Sequence, residues 1–132
     1  MLNQFKNLSC YEEFEIQCAL TCISKIDVLK EIGHKIDNYY FFVSNDGIFN
    51  WFDLDGNHVE DPNILKEIKC EHIDKSITKC IIPNSVISIG NYVFSFCESL
   101  EKVVFKGKTL EDIKQMINYP FGIEDESIIK GN

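Results

Sequence analysis

Apolar residues recur at three- and four-residue intervals from Phe14 through Cys18, Cys22 and Ile26 to Leu29, the spacing that gathers side chains on one face of an α-helix. Ser9 followed by Glu12 fits the Ser-x-x-Glu capping box, in which each side chain satisfies a backbone donor at a helix start. Gly33 offers a stop. One helix is predicted over this span, with Glu12, Glu13, Glu15 and Lys25 in solvent. Beyond Asn38 the period shortens. Aromatic runs at 39–43 and 48–54 are separated by Ser44, Asn45, Asp46 and Gly47, and Asp55, Gly56 and Asn57 follow as a second turn signal. Glycine accepts positive φ without a Cβ clash, which suits tight hairpins. A small antiparallel meander ending near Glu60 is predicted. Asp61 with Pro62 then reads as the cap and first-turn proline of a short helical turn through Ile68.

From Ile73 onward the chain repeats itself. Residues 76–82 align with 99–105 at a register of 23, apolar on apolar, and a truncated register of nine aligns 73–77 with 82–86. Repeats at a period of 20 to 50 residues mark stacked units that cannot bury their apolar faces alone. After Phe105 the register meets Thr109, Leu110 and Ile113 instead of another strand. Thr109 with Asp112 is a helix-start signal, and a helix from Leu110 to about Asn118, stopped by Pro120, is expected to seal the array.

The unit from Ile77 through Cys80, Ile82, Pro83, Val86, Ile89, Gly90, Val93, Phe94, Cys97, Leu100 and Val103 to Phe105 resembles the BspA-like leucine-rich repeats of bacteria, their phages and some protists. The resemblance covers about residues 73–107, departing at Cys80, where the family prefers a branched aliphatic, and at Val93, where it prefers Ala. The segment 105–123 is similar to one that often closes such arrays, and nothing comparable covers residues 1–60. The resemblance implies a coil in which Ile77 stacks on Leu100 and Ile82 on Phe105. Two turns are too few for independent stability, so an N-terminal lobe or a partner must pack against them. The expected fold is α+β: an N-terminal helix and meander lobe, 1–60, packed on a truncated repeat lobe, 61–132, closed by a C-terminal helix.

Composition narrows the function. The 132 residues carry 13 basic and 21 acidic side chains, a net charge of −8, and none of the basic residues is Arg. Affinity for a phosphate backbone grows with the phosphates neutralised, so direct nucleic-acid binding is not expected. The longest charge-free stretch of the first third, 16–24, is far too short to span a bilayer; no membrane role and a cytoplasmic setting are expected, with no export signal read at the start. Six cysteines are then expected as free, mostly buried thiols.

No reactive set survives inspection. Cys18 and Cys22 have the spacing to grip a metal from one helix face, with Cys70, His72 and Cys80 as further ligands by count alone, but the spacing is equally an apolar stripe. A Cys nucleophile served by His34, His58 or His72 needs an electropositive setting, and the neighbours are acidic or apolar. Asp53, Asp55, Gly56 and Asn57 begin like a calcium loop yet lack the terminal bidentate Glu. Glu124, Asp125 and Glu126 read as a solvated turn. Trp51 with Phe49, Phe52, Tyr39, Tyr40, Phe41 and Phe42 could stack bases, but without nearby cations it reads as core.

The sharper candidate lies on the repeat's strands, where Ile81 and Val104 point outward side by side, flanked by Lys79 and Lys102. Either the N-terminal lobe covers this strip or a partner does. No enzyme activity and no cofactor are expected. The resemblance implies protein binding through the repeat surface, with a protein partner or another copy of the chain as the occupant. The competing expectation is a small acidic inhibitor from a phage or mobile element that blocks a host defence nuclease by protein contact.

Overall fold

The computed structural model describes residues 2–132. A 3-10 turn at Asn3–Phe5 leads into α1 (Tyr11–Thr21) and α2 (Lys25–Ile32). The expected single helix is therefore two. Cys22 takes φ +58°, and Ser24 caps α2 by accepting the Asp27 amide at 3.3 Å. The break turns Cys22 out to solvent while Phe14, Cys18 and Leu29 stay buried. Ser9 pairs with Glu13, not Glu12: its amide donates to the Glu13 carboxylate at 2.7 Å and its hydroxyl at 2.6 Å.

Strands β1 (His34–Ile36), β2 (Tyr39–Val43), β3 (Phe49–Asp53) and β4 (His58–Val59) form an antiparallel sheet in chain order. Three of these strands belong to the expected meander. β1 is additional, joined to β2 through Asp37 at φ +51°. Alternation explains the unbroken aromatic run of β2. Phe41 pairs with Trp51 and faces one core; Tyr40 pairs with Phe52, and with Phe42 faces the other. A sheet buried on both faces has no polar side to show in its sequence. The helical side is an aromatic cluster in which Phe14 lies 5.0 Å from Phe42 and 5.3 Å from Phe52 between ring centres.

Residues 61–66 have no helical turn; the chain bends at Asn63, φ +58°, and passes into β5 (Glu67–Ile68), then a 3-10 turn at Cys70–His72, β6 (Lys79–Ile82) and β7 (Ser88–Ile89). β8 (Lys102–Phe105), α3 (Leu110–Lys114) and β9 (Ile129–Gly131) complete the chain. Every pairing here is parallel: β5 with β7, β6 with β8, and β8 with β9. Lys79 pairs with Lys102 and Ile82 with Phe105, so the repeat register read from the sequence is the strand register. The capping box at Thr109 and Asp112 forms, with amide bonds of 3.2 Å in both directions. The helix it starts is shorter than expected and does not seal the array, because β9 adds a third strand to the ladder.

The chain thus makes three passes over one core. Phe94 donates its backbone amide to the Phe121 carbonyl at 3.0 Å, and the Asn118 side-chain amide donates through Nδ2 to the Ile89 carbonyl at 3.0 Å, which ties the third pass to the second. Phe41 and Trp51 of the meander share that core with Ile68, Ile77, Ile82 and Phe105. The hairpin tip between β2 and β3 also docks on the edge of β6. Ile81 donates to the Gly47 carbonyl at 2.9 Å, and the Thr78 hydroxyl to the Asn45 carbonyl at 2.8 Å. Gly47 has φ +88°, and a Cβ there would stand 2.6 Å from the Lys79 carbonyl oxygen; only glycine meets both demands. Among the described residues no helix is long and apolar enough to cross a membrane.

Candidate protein-binding face

Along β6 and β8 burial alternates with the strand period. Cys80, Ile82, Val103 and Phe105 are buried, Ile81 and Val104 half-buried, and Lys79 and Lys102 exposed. Ile81 lies opposite Val104, and Lys79 opposite Lys102. Neighbouring strands run about 4.8 Å apart, so the two aliphatic side chains form one strip and the two ammonium groups one edge. The four residues singled out in the sequence do come together. Neither Ile81 nor Val104 packs into either core; the N-terminal lobe meets this sheet through the core on its inner face, where Phe41 and Trp51 join Ile82 and Phe105, and through hydrogen bonds at the β6 edge.

The third strand enlarges the face. Val104 pairs with Lys130, which is exposed. Lys106, also exposed, continues the ladder by donating its amide to the Ile82 carbonyl at 3.1 Å. Four lysines therefore surround two aliphatic residues on a protein of net charge −8. The one ion pair among the described residues is Lys25 with Glu15, at 3.4 Å, so none of these four ammonium groups is neutralised by contact. Like charges directly opposite across strands destabilise a sheet.

Sequence reasoning missed Lys130 because β9 follows β8 at a longer offset than β8 follows β6. It also missed a group of exposed apolar side chains on the repeat's bends: Tyr92 at 66%, Phe96 at 85% and Ile117 at 79% exposure. For Tyr92 and Phe96 the signal was present, since both fill variable positions where the repeat has no need of an aromatic ring.

The other candidate groups have structural occupations. Asp53 accepts the Asn57 backbone amide at 2.9 Å, the Asn57 side-chain amide at 3.1 Å and the Asp55 backbone amide at 2.9 Å, and these bonds, those from Asn57 above all, hold its carboxyl below the usual range; it builds the turn into β4. His58 stacks on Tyr11 at 3.8 Å. His34 and His72 lie 4.9 Å apart with rings edge to face, and burial depresses both. The six cysteines are unpaired. Cys18, Cys80 and Cys97 are pushed up by burial, the opposite of what a thiolate nucleophile requires. Cys22 and Cys18, the pair with ligand spacing, diverge at the αL residue. Among the described residues no three His, Cys, Asp or Glu side chains converge as a metal site would require. No family model, curated protein or solved structure matches this chain.

Proposed function

We propose that the chain is a non-enzymatic protein-binding module: a short leucine-rich-repeat coil of the BspA-like kind, braced from behind by an aromatic meander. Its binding surface is the outer face of β6, β8 and β9, with Ile81 and Val104 at the centre and Lys79, Lys102, Lys106 and Lys130 around them. The observation that carries this reading is the in-register lysine pair beside a half-buried aliphatic pair that packs into neither core. Folding gains nothing from abutting two ammonium groups, whereas a partner with an apolar centre and acidic edges neutralises them and removes the aliphatic strip from water. The absence of Arg and the net acidity favour a protein over a nucleic acid.

The test is a double substitution, Ile81→Ser with Val104→Ser, compared with wild type for capture of the same protein from the source cell and then for affinity with that protein purified. Sedimentation of the chain alone reads self-association. Affinity should fall about tenfold or more, as for residues at the centre of an interface, with circular dichroism and thermal midpoint close to wild type. Loss of the fold instead of the affinity would make the strip structural; unchanged affinity would move the interface elsewhere.

A further inference from the structure

A second surface, independent of the lysine face, lies where the second and third passes of the chain bend. The segments 94–100 and 122–128 enclose a groove of about 370 Å³, within the size of ordinary ligand clefts and roomy enough for the side chains of a dipeptide. Leu100 and Ile128 line it with apolar surface, both half-buried against the core. Phe96 stands at its mouth, 85% exposed. Glu98, Glu124 and Asp125 form the rim, all exposed and none in an ion pair.

Two features set this groove apart from an accidental dent. Its walls are locked together: Phe94 donates to the Phe121 carbonyl at 3.0 Å, and Gly122, at φ +89°, lies so close to Ser95 that a Cβ would overlap it. A cleft already formed costs little ordering on binding. Phe96 itself has φ +63°, a left-handed conformation that costs a bulky L-residue free energy, and it recovers none of that cost by burial. A strained backbone that displays a ring is a reason to look for function. On the rim, Asp125 accepts the Ser127 amide at 3.0 Å and its hydroxyl at 2.6 Å; these bonds, with Lys130 as the lesser influence, hold the carboxyl below its usual range and keep it charged.

We infer that this groove binds an extended peptide segment carrying a Lys or Arg next to an apolar residue. The apolar side chain enters between Leu100 and Ile128. The cation lies over the Phe96 ring, whose face attracts positive charge, within reach of the Glu98 and Glu124 carboxylates. An acidic segment meets repulsion from the same rim, so charge selects the occupant.

The probe is a fluorescein-labelled peptide, Leu-Arg-Phe-Lys-Leu-Arg, with a Glu-for-basic counterpart, measured by anisotropy against the whole chain at near-physiological salt. Wild type should bind the basic peptide and not the acidic one. Phe96→Gly, and separately Glu98→Lys with Glu124→Lys, should each weaken binding about tenfold or more. Glu60→Lys with Asp61→Lys changes the net charge equally on a loop that does not line the groove and should leave affinity within about twofold, since salt screens exposed charges that make no contact with the occupant. Phe96→Gly should also melt no lower than wild type, because glycine accepts the positive φ. The inference is overturned if the basic peptide fails to bind, if both charge-reversed pairs weaken it alike, or if Phe96→Gly binds as wild type. A lowered midpoint in Phe96→Gly also overturns it, since the ring would then serve packing. None of these outcomes touches Ile81 or Val104.

Discussion

His72 accepts the Lys69 amide on Nδ1 at 3.0 Å and lies edge to face with His34 and Phe41. Burial, then the His34 charge, lowers its pKa from 6.5 to about 4, with Glu71 opposing and Lys69 adding slightly. The unfolded chain therefore binds a proton at His72 more readily than the folded one. The resulting stability is fully present above pH 6.5 and is lost as pH falls toward 4. A shift of this size in a half-buried ring contributes about 1–3 kcal/mol after discounting for solvent. Protonation also removes the Nδ1 acceptor. His72→Asn keeps an oxygen acceptor without the titration, so its denaturation midpoint should decline less than wild type's between pH 6.5 and 5. Parallel profiles would mean that His72 does not set the acid limb.

Among the elements, the hairpin joining β2 to β3 has the largest influence relative to its length. Its tip supplies the carbonyls of Asn45 and Gly47 to β6, while the Asn45 and Asp46 amides hold the carbonyls of Leu8 and Ser9 at 2.8 and 3.1 Å. One turn thus fastens the N-terminal segment, the meander and the parallel ladder. Gly47→Ala meets a left-handed φ and the Lys79 carbonyl together, and should destabilise the fold by about 2–4 kcal/mol, read as a lower urea midpoint. Gly33→Ala would be a poor control, because its Cβ also meets a carbonyl, that of Leu29, at 2.7 Å. A midpoint within error of wild type for Gly47→Ala would mean that the tip is free to move away from β6.

At the scale of the molecule, helices, antiparallel sheet and parallel passes form three layers with the sheet in the middle. Trp51, 1% exposed, belongs to the core shared by the sheet and the passes. Its fluorescence and the far-ultraviolet circular dichroism should report one coincident unfolding transition, as a single cooperative unit does. Phe94 is 2% exposed at the far end of that core. Phe94→Ala should cost about 3–5 kcal/mol and move both signals by the same amount. If Trp51 fluorescence kept its wild-type midpoint while dichroism shifted, the two lobes would be folding separately.

The α+β character, the meander with its two turns and the ladder register were legible in the sequence because each rests on local chemistry or on a fixed period. Apolar alternation and Asp-Gly turns mark out the meander, and the repeated unit, through its fixed period, sets Lys79 opposite Lys102. The capping box at Thr109 was legible for the same reason. What failed to show depended on contacts between distant residues. The helix break at Cys22 interrupts an apolar spacing that continues through it, and only the cluster around Phe14 and Phe42 decides that Cys18 is buried while Cys22 is not. β5 and β9 are strands of two and three residues, too short to carry a pattern, and exist because a preformed neighbour offers its edge. The longer offset of β9 hid Lys130 from the face it completes. The exposure of Phe96, and the groove beside it, follows from how the third pass sits on the second, a matter of tertiary packing to which no local propensity speaks.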